Sequence, residues 1–257
     1  MTYVEGEKAR LGEDHPLFLT QYRLMPVHAG GGFMSAQQRA QLQGEHMRRH
    51  RPESEKMYVA GIDLAGEAEE GDEGRLSAIK PRQDSTVITI GELDFSRCND
   101  FQKQPVIKIV EHYYWTGKKH GALYGQIIDI IKSVWKCRRV VVDSTGVGQP
   151  VFSFLRQTLG SRIVSFTFTA GSKSELGYSL LAAINSGGIK MYAGDGSEEY
   201  SRFWTEMEKA RSRYRANRTM NFYVGPSQGH DDFLMSMALL VKAAEGYAPR
   251  EAKGRSD

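Results

Sequence analysis

Four aspartates in three separated places carry the chemistry open to this sequence. Asp63 ends the apolar run Met57-Tyr58-Val59-Ala60-Gly61-Ile62, and Asp143 ends Arg139-Val140-Val141-Val142. Asp231 and Asp232 follow Gly229-His230 and stand directly before the apolar run Phe233 to Leu240. Short runs of this kind, bounded by turn residues, suit strands buried on both faces of a sheet. Open α/β sheets place their chemistry at the carboxyl ends of strands. Each acid taken alone could merely cap the helix that follows it. Taken together, two strand ends and one helix start supply the oxygen donors of a divalent-metal site. Mg²⁺ takes oxygen ligands in an octahedron and keeps several waters.

Within the third group, successive residues at a helix start point about 100° apart. Asp231 and Asp232 therefore cannot reach one spot equally, and plain capping competes for one of them. At least one of the two is expected to be essential. His230 could be a ligand, though a hard Mg²⁺ site prefers oxygen; an orienting or water-activating neighbour is the other role open to it. Asp84 and Glu175 are the next candidates should both aspartates be dispensable.

Composition sets the outer bounds. A chain of 257 residues, 40% of them hydrophobic, can hold one large domain with a proper core. No apolar run approaches the roughly 20 residues of a membrane span, and the N-terminus lacks a secretory signature. Cys98 and Cys137 have no metal-ligand spacing, so no zinc site or disulfide framework is indicated. The formal net charge of +3 is too small to argue for nucleic acid by itself. Its distribution says more: acids crowd into Glu67 to Glu73, and bases into Arg202 to Arg218.

The elements that must position the acids can be read in order. Residues 1–56 read as an arm with too few apolar residues to fold alone, expected to pack on the surface of the globular part or to wander. Within it, Ser35 and Gln38 form a capping box for a helix from Ser35 to Met47, and Arg48-Arg49-His50-Arg51-Pro52 reads as a linker. The globular part is expected over residues 57–245, with a polar tail over 246–257. Its first strand spans Met57 to Leu64, and Gly66 to Gly74 reads as a solvated loop rather than a metal site. Thr86–Gly91 and Val106–Glu111 are the next strands, long enough to pair antiparallel beside the first. Tyr124, Ile127, Ile128, Ile131, Val134 and Trp135 recur at helical spacing and lead into the Asp143 strand. A helix through Phe152, Leu155 and Leu159, a strand at Ile163–Phe166, a helix from Lys173 to Asn185 and a strand at Ile189–Tyr192 come next. Ser186-Gly187-Gly188 stops the second of those helices in left-handed fashion. Asp195 with Glu198 reads as the capping box of the next helix, whose buried stripe is Tyr200, Phe203, Trp204 and Met207.

The period then switches to two. Arg211, Arg213 and Arg215 alternate, Ala216 to Thr219 has turn character, and Met220, Phe222 and Val224 alternate on the way back. This predicts a β-hairpin with an arginine face, continued by Arg218 in the turn. The final helix is expected from Asp231 to Ala244.

Three antiparallel strands, a helix, then alternating strands and helices give the pattern of a ribonuclease H-like α/β fold, a mixed sheet flanked by helices with an added hairpin. In that fold the first and fourth strands lie side by side, so Asp63 and Asp143 would meet. Two divalent ions roughly 3.5–4 Å apart can activate a water and stabilise the leaving oxygen of a phosphodiester. Three carboxylates around two such ions leave a net positive pocket that attracts phosphate, and four leave it neutral.

Gly61-Ile62-Asp63, Val142-Asp143-Ser144-Thr145-Gly146-Val147-Gly148, Ser172-Lys173 and His230-Asp231-Asp232 together resemble the nuclease domain of the large terminase subunit of tailed double-stranded-DNA bacteriophages. The arm, with Asp14-His15-Pro16-Leu17-Phe18 and Gln21-Tyr22, is similar to the segment that joins the packaging ATPase to the nuclease in that family. The resemblance implies a metal-dependent endonuclease cutting duplex DNA with little sequence specificity, using two Mg²⁺ or Mn²⁺ ions. It implies Asp63 and Asp143 as direct metal ligands, a third from Asp231 and Asp232, and Lys173 with His230 beside them. It also implies the portal and the small terminase subunit as partners, in the cytoplasm of the infected bacterial host, on the viral procapsid. A monomer without membrane contact is expected of the chain alone.

The family's P-loop, Gly-x-x-x-x-Gly-Lys-Ser/Thr, is missing from this sequence, and Gly171-Ser172-Lys173-Ser174 lacks its first glycine. The expectation is an excised domain or a truncated product that does not translocate DNA by itself. Three rival readings stand beside this one. A Holliday-junction resolvase-like nuclease would share the acids. An actin-like nucleotide-binding ATPase would use the Asp143–Gly148 turn for phosphates. A non-catalytic DNA-binding module would need only the arginine hairpin.

Overall fold

The structure, a computed structural model, describes residues 3–11, 31–65, 85–98, 104–118, 120–146, 148–215 and 219–248. The 14–22 motif, the acidic segment 66–74, Asp84, Arg218 and the tail from 249 lie outside them. In chain order the elements are α1 (Tyr3–Leu11), β1 (Gly31–Gly32), α2 (Ala36–Leu42), β2 (Tyr58–Asp63), β3 (Ser85–Asp94) and β4 (Val106–Thr116). Next come α3 (His120–Ile128) with a π-helical continuation Asp129–Val134, β5 (Arg139–Asp143), α4 (Gly148–Leu159), β6 (Ile163–Phe166), α5 (Ala170–Asn185) and β7 (Ile189–Lys190). The last elements are α6 (Glu198–Lys209), β8 (Ala210–Tyr214), β9 (Met220–Val224) and α7 (Asp232–Ala244).

Six strands form one mixed sheet in the order β6-β5-β2-β3-β4-β7. β2, β3 and β4 pair antiparallel, as their lengths predict, while β5 runs parallel to β2 with Ile62 opposite Val142. Strand side chains alternate between faces. On one face, Tyr58, Ala60, Ile62, Val140 and Val142 join a core with Leu123, Ile127, Ile131 and Trp135. On the other, Val59 and Val141 join a core with α5, α6 and α7. Continuing that alternation puts Gly61, Asp63 and Asp143 on the α7 face. The fold is a ribonuclease H-like α/β arrangement, a mixed sheet with helices on both faces.

Gly61 is where α7 meets the sheet. A Cβ there would lie 2.1 Å from the Ser236 carbonyl oxygen and 2.3 Å from the Leu240 nitrogen. Beside it, the hydroxyls of Thr89 and Ser236 are hydrogen-bonded at 2.7 Å. This close approach fixes α7, and with it the acids at its start.

Residues 31–56 do more than lie on the surface. β1 pairs with β8, and Phe33, Met34 and Leu42 are buried in the core under α5 and α7. The Ser35 capping box forms in both halves. Its helix ends at Leu42, earlier than the periodicity predicts, because the chain turns extended there. The Leu42 carbonyl accepts from Met191 N, and the His46 carbonyl from Ala193 N. Tertiary pairing has replaced the last helical turns. Beyond it, Arg48 donates to Glu111 at 2.5 Å, Glu199 at 3.1 Å and the His112 carbonyl at 3.3 Å. Arg49 and Lys56 both pair with the buried carboxylate of Glu92. The stretch read as a linker is thus a row of cations clamped on buried acids of β3 and β4. Removing one partner of a buried pair strands the other, at a cost of about 3–5 kcal/mol. Arg48→Ala is therefore expected to lose stability on that scale in urea unfolding. Arg202→Ala, which loses an exposed pair with Glu198 and a cation–π contact with the Tyr114 ring, is expected to lose less.

Two more local expectations change. The α6 cap is Ser197, whose hydroxyl accepts from Tyr200 N. Asp195 instead accepts from the backbone and hydroxyl of Ser197, at 3.0 and 2.6 Å, setting up the cap one step earlier. The helix expected from Lys173 starts at Ala170, with Thr169 and Ser172 as its capping box. It stops as predicted, with Gly187 at φ +67.

Candidate active site

Asp63 and Asp143 end adjacent parallel strands, one step past the Ile62–Val142 pair. Two backbone devices hold Asp143. One of its oxygens accepts from Thr145 N at 2.8 Å, and the turn beyond it uses Gly146 at φ +55. Gly148 lies so close that a Cβ would stand 2.6 Å from the Asp143 carbonyl oxygen. Ser144 N donates to Phe166 O at 2.9 Å, tying the same turn to β6. The two glycines of the Asp-Ser-Thr-Gly-Val-Gly stretch thus have different reasons: Gly146 takes a left-handed φ, and Gly148 packs too close to the Asp143 backbone for a side chain.

The third acidic group sits at the start of α7. Asp231 occupies the N-cap position but makes no side-chain capping bond. Asp232 is buried, and one of its oxygens accepts from Ser85 N at 2.9 Å. Neither aspartate caps the helix by its side chain. That task falls to Glu206 of α6, whose Oε2 accepts from Phe233 N at 2.8 Å and Leu234 N at 3.1 Å. Sequence reading missed Glu206, although a signal was present. With Phe203, Met207 and Ala210 it lies at i, i+3, i+4 and i+7 on the buried face of an amphipathic helix, where an unpaired carboxylate has no place.

The electrostatics bind these groups into one cluster. Burial raises the Asp63 carboxyl well above its ordinary range, and Asp232, Asp143, Asp231 and Glu206 raise it further. Burial also raises Asp143, against the opposing pull of Thr145 and Lys173. Glu206 is pushed up to about 9, by burial first and then by Asp232 and Asp231. Lys173 is lowered by burial, although Asp231, Asp63 and Asp143 favour its charge. Like charges held together in low dielectric cost free energy that a cation would return. Oxygen donors that carry excess negative charge are the kind that a hard divalent cation takes. Among the described residues no three or more His, Cys, Asp or Glu side chains form a group placed to hold a metal ion. Mg²⁺ does not require a closed cage of side chains, since it completes its octahedron with water and phosphate oxygens.

Lys173 links the acids to the hairpin. Its Nζ lies 5.4 Å from the Phe222 ring centroid and 5.7 Å from that of Phe168. A cleft of about 200 Å³ beside Lys173 is lined by Phe168, Lys173, Arg215, Thr219 and Asn221. The hairpin itself forms as the period of two predicts, with Ala210 and Ser212 buried and Arg211, Arg213 and Arg215 exposed. His230 is half-buried at the entry to α7, and Glu175 is exposed on α5. The structure therefore brings together Asp63, Asp143, Asp231, Asp232, Lys173 and the unforeseen Glu206.

No known protein family and no curated protein matches this chain by sequence. Solved structures do match. The large terminase nuclease from thermophilic phage G20c with bound magnesium is similar at a TM-score of 0.59 and 16% identity, over 84% of this chain and 98% of that one. The large terminase nuclease domain of Thermus phage P74-26 gives 0.56 and 16%, over 84% and 97%. The large terminase of bacteriophage HK97 gives 0.55 and 13%, over 84% of this chain and 44% of that larger one. At such identities the likeness is one of fold. This chain has the fold of large-terminase nuclease domains.

Proposed function

We propose that this protein is a metal-dependent endonuclease that cuts double-stranded DNA with little sequence preference, as in viral genome packaging. One observation carries the proposal. On a fold shared with a magnesium-bound terminase nuclease, Asp63 and Asp143 end neighbouring strands and face the acidic start of α7. In this reading Asp63 and Asp143 hold the ions directly, and Asp231 and Asp232 share the remaining positions. Two Mg²⁺ or Mn²⁺ ions held there would supply activation of the attacking water and stabilisation of the leaving oxygen. Lys173 places a positive charge beside the acids, and His230 orients groups at the mouth of the site. Residues 57–245 form the nuclease, 1–56 the arm and 246–257 the tail. In a packaging motor its partners are duplex DNA, the portal and the small terminase subunit, on a procapsid in the host cytoplasm.

Supercoiled plasmid is expected to be nicked and linearised with Mn²⁺ or Mg²⁺ and left intact in EDTA. Plasmid that survives with either metal across neutral pH sinks the proposal, and so does cutting that persists in EDTA.

The hairpin supplies the affinity in this reading. Arg211, Arg213 and Arg215 are exposed on one side of β8 and its extension, and Arg218 lies outside the described residues. Each phosphate neutralised on duplex DNA contributes about −0.9 to the log–log salt slope. Replacing the three described arginines with Ala is expected to weaken binding and flatten that slope by about 2.7. An unchanged slope in a salt titration would assign them to solvent.

A further inference from the structure

Helix α7 is capped by a residue that does not belong to it. Counting from the N-cap Asp231, Phe233 and Leu234 are the second and third helical residues. Their N–H groups are the ones that an N-cap side chain ordinarily satisfies. Both are instead taken by one oxygen of Glu206, a buried residue of the preceding helix, at 2.8 and 3.1 Å. An aspartate at the N-cap is among the best local solutions available. Here the aspartate is present, and its side chain is not used for that purpose.

We infer that Glu206 is a positioning residue: by capping α7 from α6, it fixes where Asp231 and Asp232 stand relative to Asp63. The arrangement has a clear physical reason. A local cap would turn the Asp231 carboxylate back over its own helix, away from the sheet. A cap delivered from α6 satisfies the same N–H groups and ties α7 to a second element. The other anchor is the contact of Gly61 with Ser236 and Leu240, one to two turns further along α7. Two anchors along the axis, from different elements, define both the height and the tilt of the helix. Glu206 itself is not a metal ligand in this inference, because the oxygen that faces α7 is spent on two N–H groups.

The test compares Glu206→Ala with Glu206→Gln, whose amide oxygen can still accept both hydrogen bonds. In E206A, amide exchange at Phe233 and Leu234 is expected to quicken about 2- to 30-fold, as loss of a cap allows. Its affinity for Mn²⁺ is expected to fall about tenfold, the scale seen when a group that orients metal ligands is removed. Cleavage at saturating Mn²⁺ should largely recover. In E206Q both exchange and Mn²⁺ affinity are expected to stay within about threefold of the wild type, well short of that tenfold loss. Should E206Q lose Mn²⁺ affinity as fully as E206A, Glu206 is a ligand and the inference is overturned. Unchanged exchange at Phe233 and Leu234 in E206A overturns it as well. If E206A does not fold, E206Q still decides, because faster exchange at those two amides in that variant contradicts a cap that Gln can supply. The metal arm rests on the proposed function, whereas the exchange arm does not. A wild-type protein that fails to cut DNA would therefore end that proposal and leave the capping role to be read from exchange alone.

Discussion

Asp63→Asn and Asp143→Asn are each expected to abolish plasmid cleavage while leaving the protein folded and, without metal, no less stable than the wild type. The two halves of this expectation come from one cause. Asp63 is buried among Asp232, Asp143, Asp231 and Glu206, which push its carboxyl up rather than down. At neutral pH its charge therefore opposes folding, and a neutral isostere removes that opposition. The same charge is what would hold a divalent ion. Asn keeps the shape and offers a weaker donor, so metal-dependent stabilisation should vanish together with activity. In the wild type, saturating Mn²⁺ is expected to raise the melting temperature, by about 2.7 kcal/mol of stability at a hundredfold excess over Kd. In Asp63→Asn that rise should be absent. The contrast separates a metal ligand from a structural cap, whose loss costs about 0.5–2 kcal/mol with or without metal. A variant that melts lower in EDTA yet cuts at the wild-type rate would refute the assignment.

Gly61→Ala is expected to be among the most damaging single substitutions in the chain, although it adds one methyl group. Overpacking in a core ordinarily costs about 1–3 kcal/mol. Here the methyl would meet backbone atoms of α7 at 2.1 and 2.3 Å, and backbone cannot rotate away as a side chain can. The strand cannot yield either, because Ala60 and Ile62 on its other face are fully buried. The helix must shift, carrying Asp231 and Asp232 away from Asp63. Loss of about 3 kcal/mol or more is expected in denaturant titration, with cleavage lost even at temperatures where the variant remains folded. Gly91→Ala serves as a control, since its nearest obstacles are the side chains of Ile107 and Leu240. It should be milder on both counts. Equal damage from the two would mean that helix docking at Gly61 has no special part in the site.

Some of this was legible without coordinates. Period-two and period-3.6 patterns report local burial directly, so the strands at Asp63 and Asp143, the arginine hairpin and α7 could each be read from the sequence. The Ser35–Gln38 box and the Gly187 stop were legible for the same reason: both are satisfied within a few residues. Where an acid falls at a strand end is also a local property, and it placed the candidate ligands.

What the sequence left open depends on contacts between residues distant in the chain. Nothing local makes Arg48 find Glu111, or makes Arg49 and Lys56 find Glu92, so a basic stretch read as a linker became part of the sheet's support. The same holds for the helix after Ser35, which gave up its last turns for backbone bonds to the Met191 strand end. Glu206 stood in view on an apolar helix face, but only docking against α7 gave that face its two N–H partners. The glycine of Gly61-Ile62-Asp63 could be noticed as a residue, while its reason lies in a helix far along the chain. Periodicity follows from the side chain's position on its own element, so the sequence alone determined which acids end which strands. Convergence of those acids follows from the parallel register of β2 and β5 and the approach of α7, and only the tertiary structure decided that.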